Sequence, residues 1–172
     1  KQSPHVLKRI KEILKKNRSK IIYPNSWKLI KKKHQFYYQD NKTKIKLNTK
    51  NVYSKGMLEN VCLAIKIALD LKIGKKIIKK TLPNLSFEGR FQYLHKGKIK
   101  NKLLKNESIM IDGAHATADA KNLAAYLKKL KIPKYGIWAM TKNKDPDLFI
   151  KQLKGVFKKI VAMPIENEFN SV

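Results

Sequence analysis

In the second half of the sequence, short apolar runs alternate with segments of helical periodicity, and this alternation constrains the fold more than any other feature. The runs "RFQYL", "ESIMID", "YGIWAM" and "KKIVAMPI" have the length and composition of strands, whereas residues 117–130 and 146–156 carry apolar side chains at helical spacing. Strands that alternate with helices form βαβ units. The pattern therefore predicts an α/β domain with a mostly parallel sheet.

The first half of the sequence has a different order. Its predicted elements are a helix over 4–17, a strand in "KIIYP", a β-hairpin over 27–47 with its turn at "QDNK", a helix over 56–72, and a shorter helix after Gly74 with Ile77 and Ile78 facing inward. The segment "LPNLSFEG" then breaks the pattern with a proline and a glycine. We therefore predict two domains, residues 1–85 and 86–172.

The charge of the chain restricts the partners it can have. The formal net charge is +28 over 172 residues, which suits an anionic partner such as nucleic acid. However, only three of the forty basic residues are arginines, the lysines are spread from end to end, and nucleic-acid sites usually rely on arginine with interleaved aromatic residues. We therefore favour compositional drift of the surface and do not expect nucleic acid as the partner.

The cysteine content and the hydropathy pattern indicate the compartment. Cys62 is the single cysteine and lies in the apolar run "NVCLAIKIAL", so we expect a buried thiol without an internal disulfide. No stretch has the length of a membrane span, and the first residues lack the apolar segment of a secretory signal. The sequence therefore predicts a cytoplasmic protein that does not insert into a membrane.

A polar cluster lies where the "ESIMID" strand gives way to the next helix. Asp112, Gly113 and His115 stand at the carboxyl end of that strand, which is where open α/β sheets bind their ligands. There the carboxylate and the imidazole could contact a ligand. The alternative is that Asp112 and Thr117 only cap the turn and the helix. The spacing alone favours neither interpretation.

Arg90 follows Gly89 at the predicted domain boundary and is one of the three arginines. Its guanidinium could hold a phosphate group through two parallel hydrogen bonds, but an interdomain salt bridge is a slightly better interpretation of the residue by itself.

In "KNKDPD", Asp145 is expected to cap a helix whose first turn contains Pro146. The sequence contains no phosphate-binding loop, zinc pattern or nucleophile elbow.

Taken together, four ordered blocks resemble one family. The blocks "FEGRFQYL", "IMIDGAHATADAKNLAAYL", "AMTKNKDPDLF" and "VAMPIENEFNS" are similar to the folylpolyglutamate synthase/dihydrofolate synthase family of the Mur ligase superfamily, and "SKGMLENVCLAIKIAL" resembles its helix with an "HQxxN" element. The resemblance covers nearly the whole chain. It implies the end of a Mur-ligase-type central domain over residues 1–85, followed by a truncated Rossmann-like C-terminal domain over 86–172.

The resemblance also implies an activity. Members of this family use ATP and Mg²⁺ to phosphorylate a carboxylate of dihydropteroate or of a folate, which the amine of L-glutamate then attacks. Asn60, Arg90 and Asp112 match positions that contact ATP, and His115 matches the histidine of the "DGAH" turn, where it helps to close the catalytic site. The residues match in type, since a guanidinium can stabilise phosphate charge and a carboxylate can accept hydrogen bonds from ribose hydroxyls.

The sequence departs from the family pattern in three places. Ala116 and Thr117 stand where the family usually has Asn-Pro, Glu88 replaces a proline, and Gly56 and Met57 replace the His-Gln pair. Each change removes contacts to nucleotide or substrate, and together they suggest relaxed constraint.

In family order, the phosphate-binding loop and the magnesium ligands precede Lys1. We therefore expect a fragment of the ligase that is inactive alone and would need an N-terminal polypeptide of the same enzyme as its partner. Dihydrofolate synthase and folylpolyglutamate synthase activity are not separated by these residues. Two alternatives remain: a basic module that binds nucleic acid, and a non-functional remnant of the ligase.

Overall fold

The computed structural model describes residues 3–19 and 26–172. Contacts divide the chain into two compact units, a first unit of Lys1–Asn48 with Val61–Leu82 and a second unit of Thr49–Asn60 with Pro83–Val172. The predicted strand in "KIIYP" lies outside the described residues. The domain boundary between residues 85 and 86 stays a prediction.

The first unit combines helices with one antiparallel sheet. Its elements are α1 (Pro4–Lys16), β1 (Trp27–Lys32), β2 (Gln35–Asp40), β3 (Lys44–Lys46), α2 (Lys55–Asp70), which continues from the second unit, and α3 (Lys75–Thr81). The three predicted helices are confirmed within a few residues at each end. In the sheet, Tyr38 of β2 pairs with Leu29 of β1 and Ile45 of β3.

The single hairpin predicted over 27–47 is corrected to two hairpins. The predicted "QDNK" turn joins β2 to β3, but an additional turn at Lys33 and His34 joins β1 to β2. Lys33 has a left-handed backbone with φ of 51°. Because this turn contains no glycine, asparagine or proline, the sequence carries no signal for it.

The core of the first unit forms under this sheet. Tyr38, Ile45 and Cys62 are fully buried, which confirms the expected burial of the thiol. In α3, Ile78 is buried but Ile77 is 62% exposed, so the expectation that both face inward is wrong for Ile77. Consecutive helical residues point about 100° apart, and a helix that is covered on one side buries only one of the two.

The second unit is built from short strands and two further helices. Its elements after the start of α2 are β4 (Gln92–Tyr93), β5 (Met110–Ile111), α4 (Thr117–Leu127), β6 (Tyr135–Trp138), α5 (Pro146–Gln152) and β7 (Lys159–Ala162). All four predicted strands and both helices are present, although each is shorter than its pattern. Pro146 occupies the first turn of α5, as expected. Asp145 stands at the N-cap position of this helix, but its side chain makes no capping hydrogen bond, so the expected cap is wrong.

The predicted parallel sheet is only partly correct. Strands β6 and β7 are parallel and are connected through α5, which makes a βαβ unit, but β4 and β5 are antiparallel and form a separate two-stranded sheet. The sequence pattern identifies strands by their composition and does not encode their direction.

One hydrophobic cluster fills the second unit. Its buried members come from the start of α2, from α4 and from α5 with their flanking loops: Met57, Phe91, Ala120, Leu123, Ala124, Leu127, Met140, Phe149, Leu153 and Val156. In α4, the buried residues recur at helical spacing and leave the neighbouring face for polar side chains. Within the described ranges, no helix is long and apolar enough to cross a membrane.

Candidate nucleotide site in the second unit

The carboxylate of Asp112 joins two loops at the end of β5. Its Oδ2 accepts a hydrogen bond of 2.8 Å from the backbone N–H of Phe91, and its Oδ1 accepts one of 2.8 Å from the backbone N–H of Ala114. The side chain is half-buried. Asp112 therefore fixes the loop that carries Arg90 against the turn that carries His115.

Backbone contacts bring the same two loops closer together. The N–H of Gly113 donates to the carbonyl oxygen of Gly89 over 2.6 Å, and a Cβ on residue 113 would lie 3.3 Å from that oxygen. The N–H of Gly89, whose φ is 64°, donates to Oε1 of Gln92 over 2.8 Å. Glycine at positions 89 and 113 thus permits a left-handed turn and a close backbone approach.

Arg90 extends from this loop toward α4. Its Nη1 lies 3.6 Å from Oδ2 of Asp119, and both side chains are more than a third exposed. The ion pair lies within the second unit, so the interpretation of Arg90 as an interdomain salt bridge is not what the structure shows. A pair with this exposure and distance contributes about 0–1 kcal/mol. Its guanidinium retains several N–H donors for an anionic ligand.

His115 and Asn60 are the other two residues predicted for the site. His115 is exposed, and its Nδ1 lies 3.0 Å from the carbonyl oxygen of Gly113. Asn60 is exposed on α2, in the part of that helix that belongs to the second unit. The structure brings Arg90, Asp112 and His115 onto adjoining loops, whereas no hydrogen bond between described residues links Asn60 to them.

The alternative capping interpretation holds only in part. The N-cap residue of α4 is Ala116 and has no side-chain cap, while Thr117 is the first helical residue, so Thr117 does not cap this helix. Asp112 does stabilise the turn, through the N–H of Ala114 two residues ahead. Asp112 therefore has both roles: it stabilises its own turn, and it bonds to Phe91 in the other loop.

An aromatic cluster beside these loops was not expected from the sequence. The rings of Tyr53, Phe91, Tyr93 and Tyr126 lie with centroids 5.1–6.3 Å apart, and the hydroxyl oxygens of Tyr93 and Tyr126 are 2.9 Å apart. Burial and the hydrogen bond with Tyr93 raise the pKa of Tyr126 above its ordinary value. The four rings come from three separate segments of the chain, so no local spacing indicates that they meet.

The residues present match the phosphate part of a nucleotide better than a metal ion. Arg90 is accessible and lacks a close bidentate partner, which suits phosphate oxygens. No group of three or more His, Cys, Asp or Glu side chains that could hold a metal ion comes together in the part of the chain that the structure describes. The described residues therefore do not form a magnesium site.

Comparison with solved structures shows that the fold of this chain is similar to that of part of the folylpolyglutamate synthases. Mycobacterium tuberculosis folylpolyglutamate synthase complexed with ADP and AMPPCP matches 100% of this chain and 39% of its own, with a TM-score of 0.79 and 14% identity. E. coli FolC in complex with ADP matches 95% of this chain and 38% of its own, with a TM-score of 0.71 and 17% identity. Thermotoga maritima folylpolyglutamate synthase matches 94% of this chain and 38% of its own, with a TM-score of 0.65 and 20% identity.

These similarities show the fold. The predicted α/β fold, with its resemblance to the C-terminal portion of these synthases, is confirmed at that level. The chain spans 38–39% of the length of these three solved proteins. No family model matches the sequence, and no curated protein matches it.

Proposed function

We propose that this chain is the C-terminal portion of an ATP-dependent ligase that adds L-glutamate to dihydropteroate or to folates. The observation that carries the proposal is the fold similarity along 94–100% of the chain to folylpolyglutamate synthases, two of which were solved with ADP. The loops fixed by Asp112 lie in that same fold and carry Arg90 and His115.

In this proposal the two charged side chains have different roles. The side chain of Arg90 is partly exposed and its guanidinium retains N–H donors beside its ion pair with Asp119, so it binds phosphate oxygens and stabilises their charge. Each carboxylate oxygen of Asp112 accepts one hydrogen bond from a backbone N–H and can still accept another from a ribose hydroxyl. His115 is exposed at the edge of the turn and closes the site over the ligand.

ATP, when bound, supplies the phosphoryl group that activates the substrate carboxylate. The groups that position its phosphates and Mg²⁺ in such reactions are a phosphate-binding loop and acidic ligands. We infer that these come from a polypeptide outside this chain, and that the complete enzyme acts in the cytoplasm on L-glutamate and a pterin-type substrate. We expect no ligation by the chain alone.

Nucleotide binding by the chain itself tests the role of Arg90. In calorimetric titrations at about 150 mM salt, where the attraction of distant surface charges is screened beyond about 8 Å, the substitution Arg90→Gln should weaken ADP binding about tenfold or more. The matched control is Lys102→Gln, which removes one positive charge from an exposed site in the same unit. It should change the affinity by less than about twofold.

The opposite result identifies non-specific charge attraction. If the two variants weaken ADP binding equally, and if duplex DNA binds with a steep salt dependence that Asp112→Ala leaves unchanged, the protein is a basic binding module and the ligase proposal is wrong.

The activity itself is tested by co-expression with the polypeptide encoded upstream of Lys1. A well-folded complex should ligate glutamate to dihydropteroate or to a folate, and should lose that activity with Arg90→Gln.

A further inference from the structure

One face of α4 carries three side chains with polar groups, and they differ in whether those groups are bonded. Asp119 pairs with Arg90, and the hydroxyl of Tyr126 bonds with that of Tyr93. Asn122 lies between them on the same face, is half-buried, and forms no side-chain hydrogen bond with any described residue. Its carboxamide is the group of this row whose bonding is incomplete.

The start of α2 lies directly against this carboxamide. A Cβ on residue 56 would be 3.1 Å from Nδ2 of Asn122, so glycine at this position leaves the space that the amide occupies. The first turn of α2 is fixed, because buried Ser54 accepts a hydrogen bond of 3.2 Å from the N–H of Met57. Asn60 follows Gly56 by one helical turn on the same face of α2.

Because Asn122 is only partly buried and no described residue bonds its carboxamide, the donors and the acceptor of this group are available to a ligand. A carboxamide offers two donors and one acceptor without charge. This chemistry suits the edge of a nucleobase or a sugar hydroxyl, which present donors beside acceptors. A phosphate is better matched by the guanidinium of Arg90, which the same helix contacts through Asp119.

We propose that Asn122 is a further nucleotide-binding residue that contacts the nucleoside part of the ligand, while Arg90 contacts the phosphates. The proposal rests on the proposed function, since it assigns a residue to the same nucleotide site. It also explains the departure at position 56. A side chain at that position would displace the amide, and glycine there lets Asn122 from α4 supply the contact.

The test compares two ligands that share phosphate chemistry. Calorimetry on the full chain measures the affinities of ADP and of inorganic tripolyphosphate for the wild type, Asn122→Ala and Arg90→Gln. Asn122→Ala should weaken ADP binding about tenfold, the effect of about 1.4 kcal/mol, and leave tripolyphosphate unchanged. Arg90→Gln should weaken both. Asn106→Ala removes an exposed asparagine from the same unit and should alter neither.

The outcomes separate this inference from the function on which it rests. If the wild type binds no ADP, both are overturned. If Arg90→Gln weakens ADP binding and Asn122→Ala does not, only the role of Asn122 is overturned. Equal weakening of both ligands by Asn122→Ala would place the amide at the phosphates or in a structural role. The thermal midpoint checks the latter, because removal of an unbonded amide should not lower it.

Discussion

Replacement of Asp112 by asparagine tests how the two loops of the site are held. The substitution preserves shape but removes the charge and one acceptor. Asparagine can still accept a hydrogen bond through its single amide oxygen, from either Phe91 or Ala114. The other backbone N–H then faces an NH₂ group, which cannot accept its hydrogen bond.

The expected loss in the free energy of unfolding follows from these two hydrogen bonds. A hydrogen bond to a charged group contributes about 1.5–3 kcal/mol, and half-burial of Asp112 favours the lower end of that range. Asp112→Asn should therefore reduce the free energy of unfolding of the second unit by about 1–2 kcal/mol, and Asp112→Ala, which removes both acceptors, by about 2–4 kcal/mol.

Two measurements show where in the protein the stability is lost. Urea unfolding, followed by the fluorescence of Trp138 in a Trp27→Phe background, reports the stability of the second unit because Trp27 belongs to the first. Native-state hydrogen exchange should show faster exchange at the amides of Phe91 and Ala114 in Asp112→Asn. The matched control is Glu88→Gln, which removes an exposed carboxylate from the same loop and should leave both measurements unchanged.

A destabilisation below about 0.5 kcal/mol for Asp112→Ala would refute the reasoning, because surface substitutions without a structural role fall in that range. So would unchanged exchange at both amides in Asp112→Asn. Either result would mean that the loops are held by the backbone bond between Gly113 and Gly89 and not by the carboxylate.

Two further predictions concern titration. Burial and hydrogen bonding raise the pKa of Tyr38 and of Tyr126, so their absorbance should titrate above the ordinary tyrosine pKa of about 10. The stability that they contribute is complete below the unfolded pKa and should be lost progressively as pH rises above it. For Asp40, burial acts to raise the pKa, but hydrogen bonds from Tyr38 and from backbone amides outweigh it and lower the pKa. This stability is present above the unfolded pKa and is lost below about pH 4, and Tyr38→Phe should raise the Asp40 pKa in an NMR titration.

The helices and the site loops could be predicted because their signals are local. The apolar spacing in α4, the proline that begins α5, and the position of Asp112 after an apolar strand all lie within a few residues of the structure they determine. The antiparallel pairing of β4 with β5 and the turn at Lys33 have no such signal. Strand direction depends on partners far along the chain, and a left-handed lysine is set by the strands on either side of it.

The contacts that define the site are also long-range. The carboxylate of Asp112 meets the N–H of Phe91 across 21 positions of sequence, and Asn122 lies beside Gly56 on a different helix. Residue type indicated that Asp112 and Arg90 have unusual roles, but it gave no sign that the nearest ion partner of Arg90 is Asp119. The helical spacing of Asp119, Asn122 and Tyr126 on α4 could be read from the sequence, but the residues that they contact could not.

Asp112 also helps to hold Arg90 in position. Because its Oδ2 bonds to the N–H of Phe91, the residue after Arg90, loss of the carboxylate releases the loop that positions the guanidinium. Asp112→Asn should therefore weaken ADP binding even if the carboxylate never contacts the ligand. A direct contact requires a loss beyond that explained by the mobility of Arg90, which a double-mutant cycle between the two residues measures as their coupling free energy.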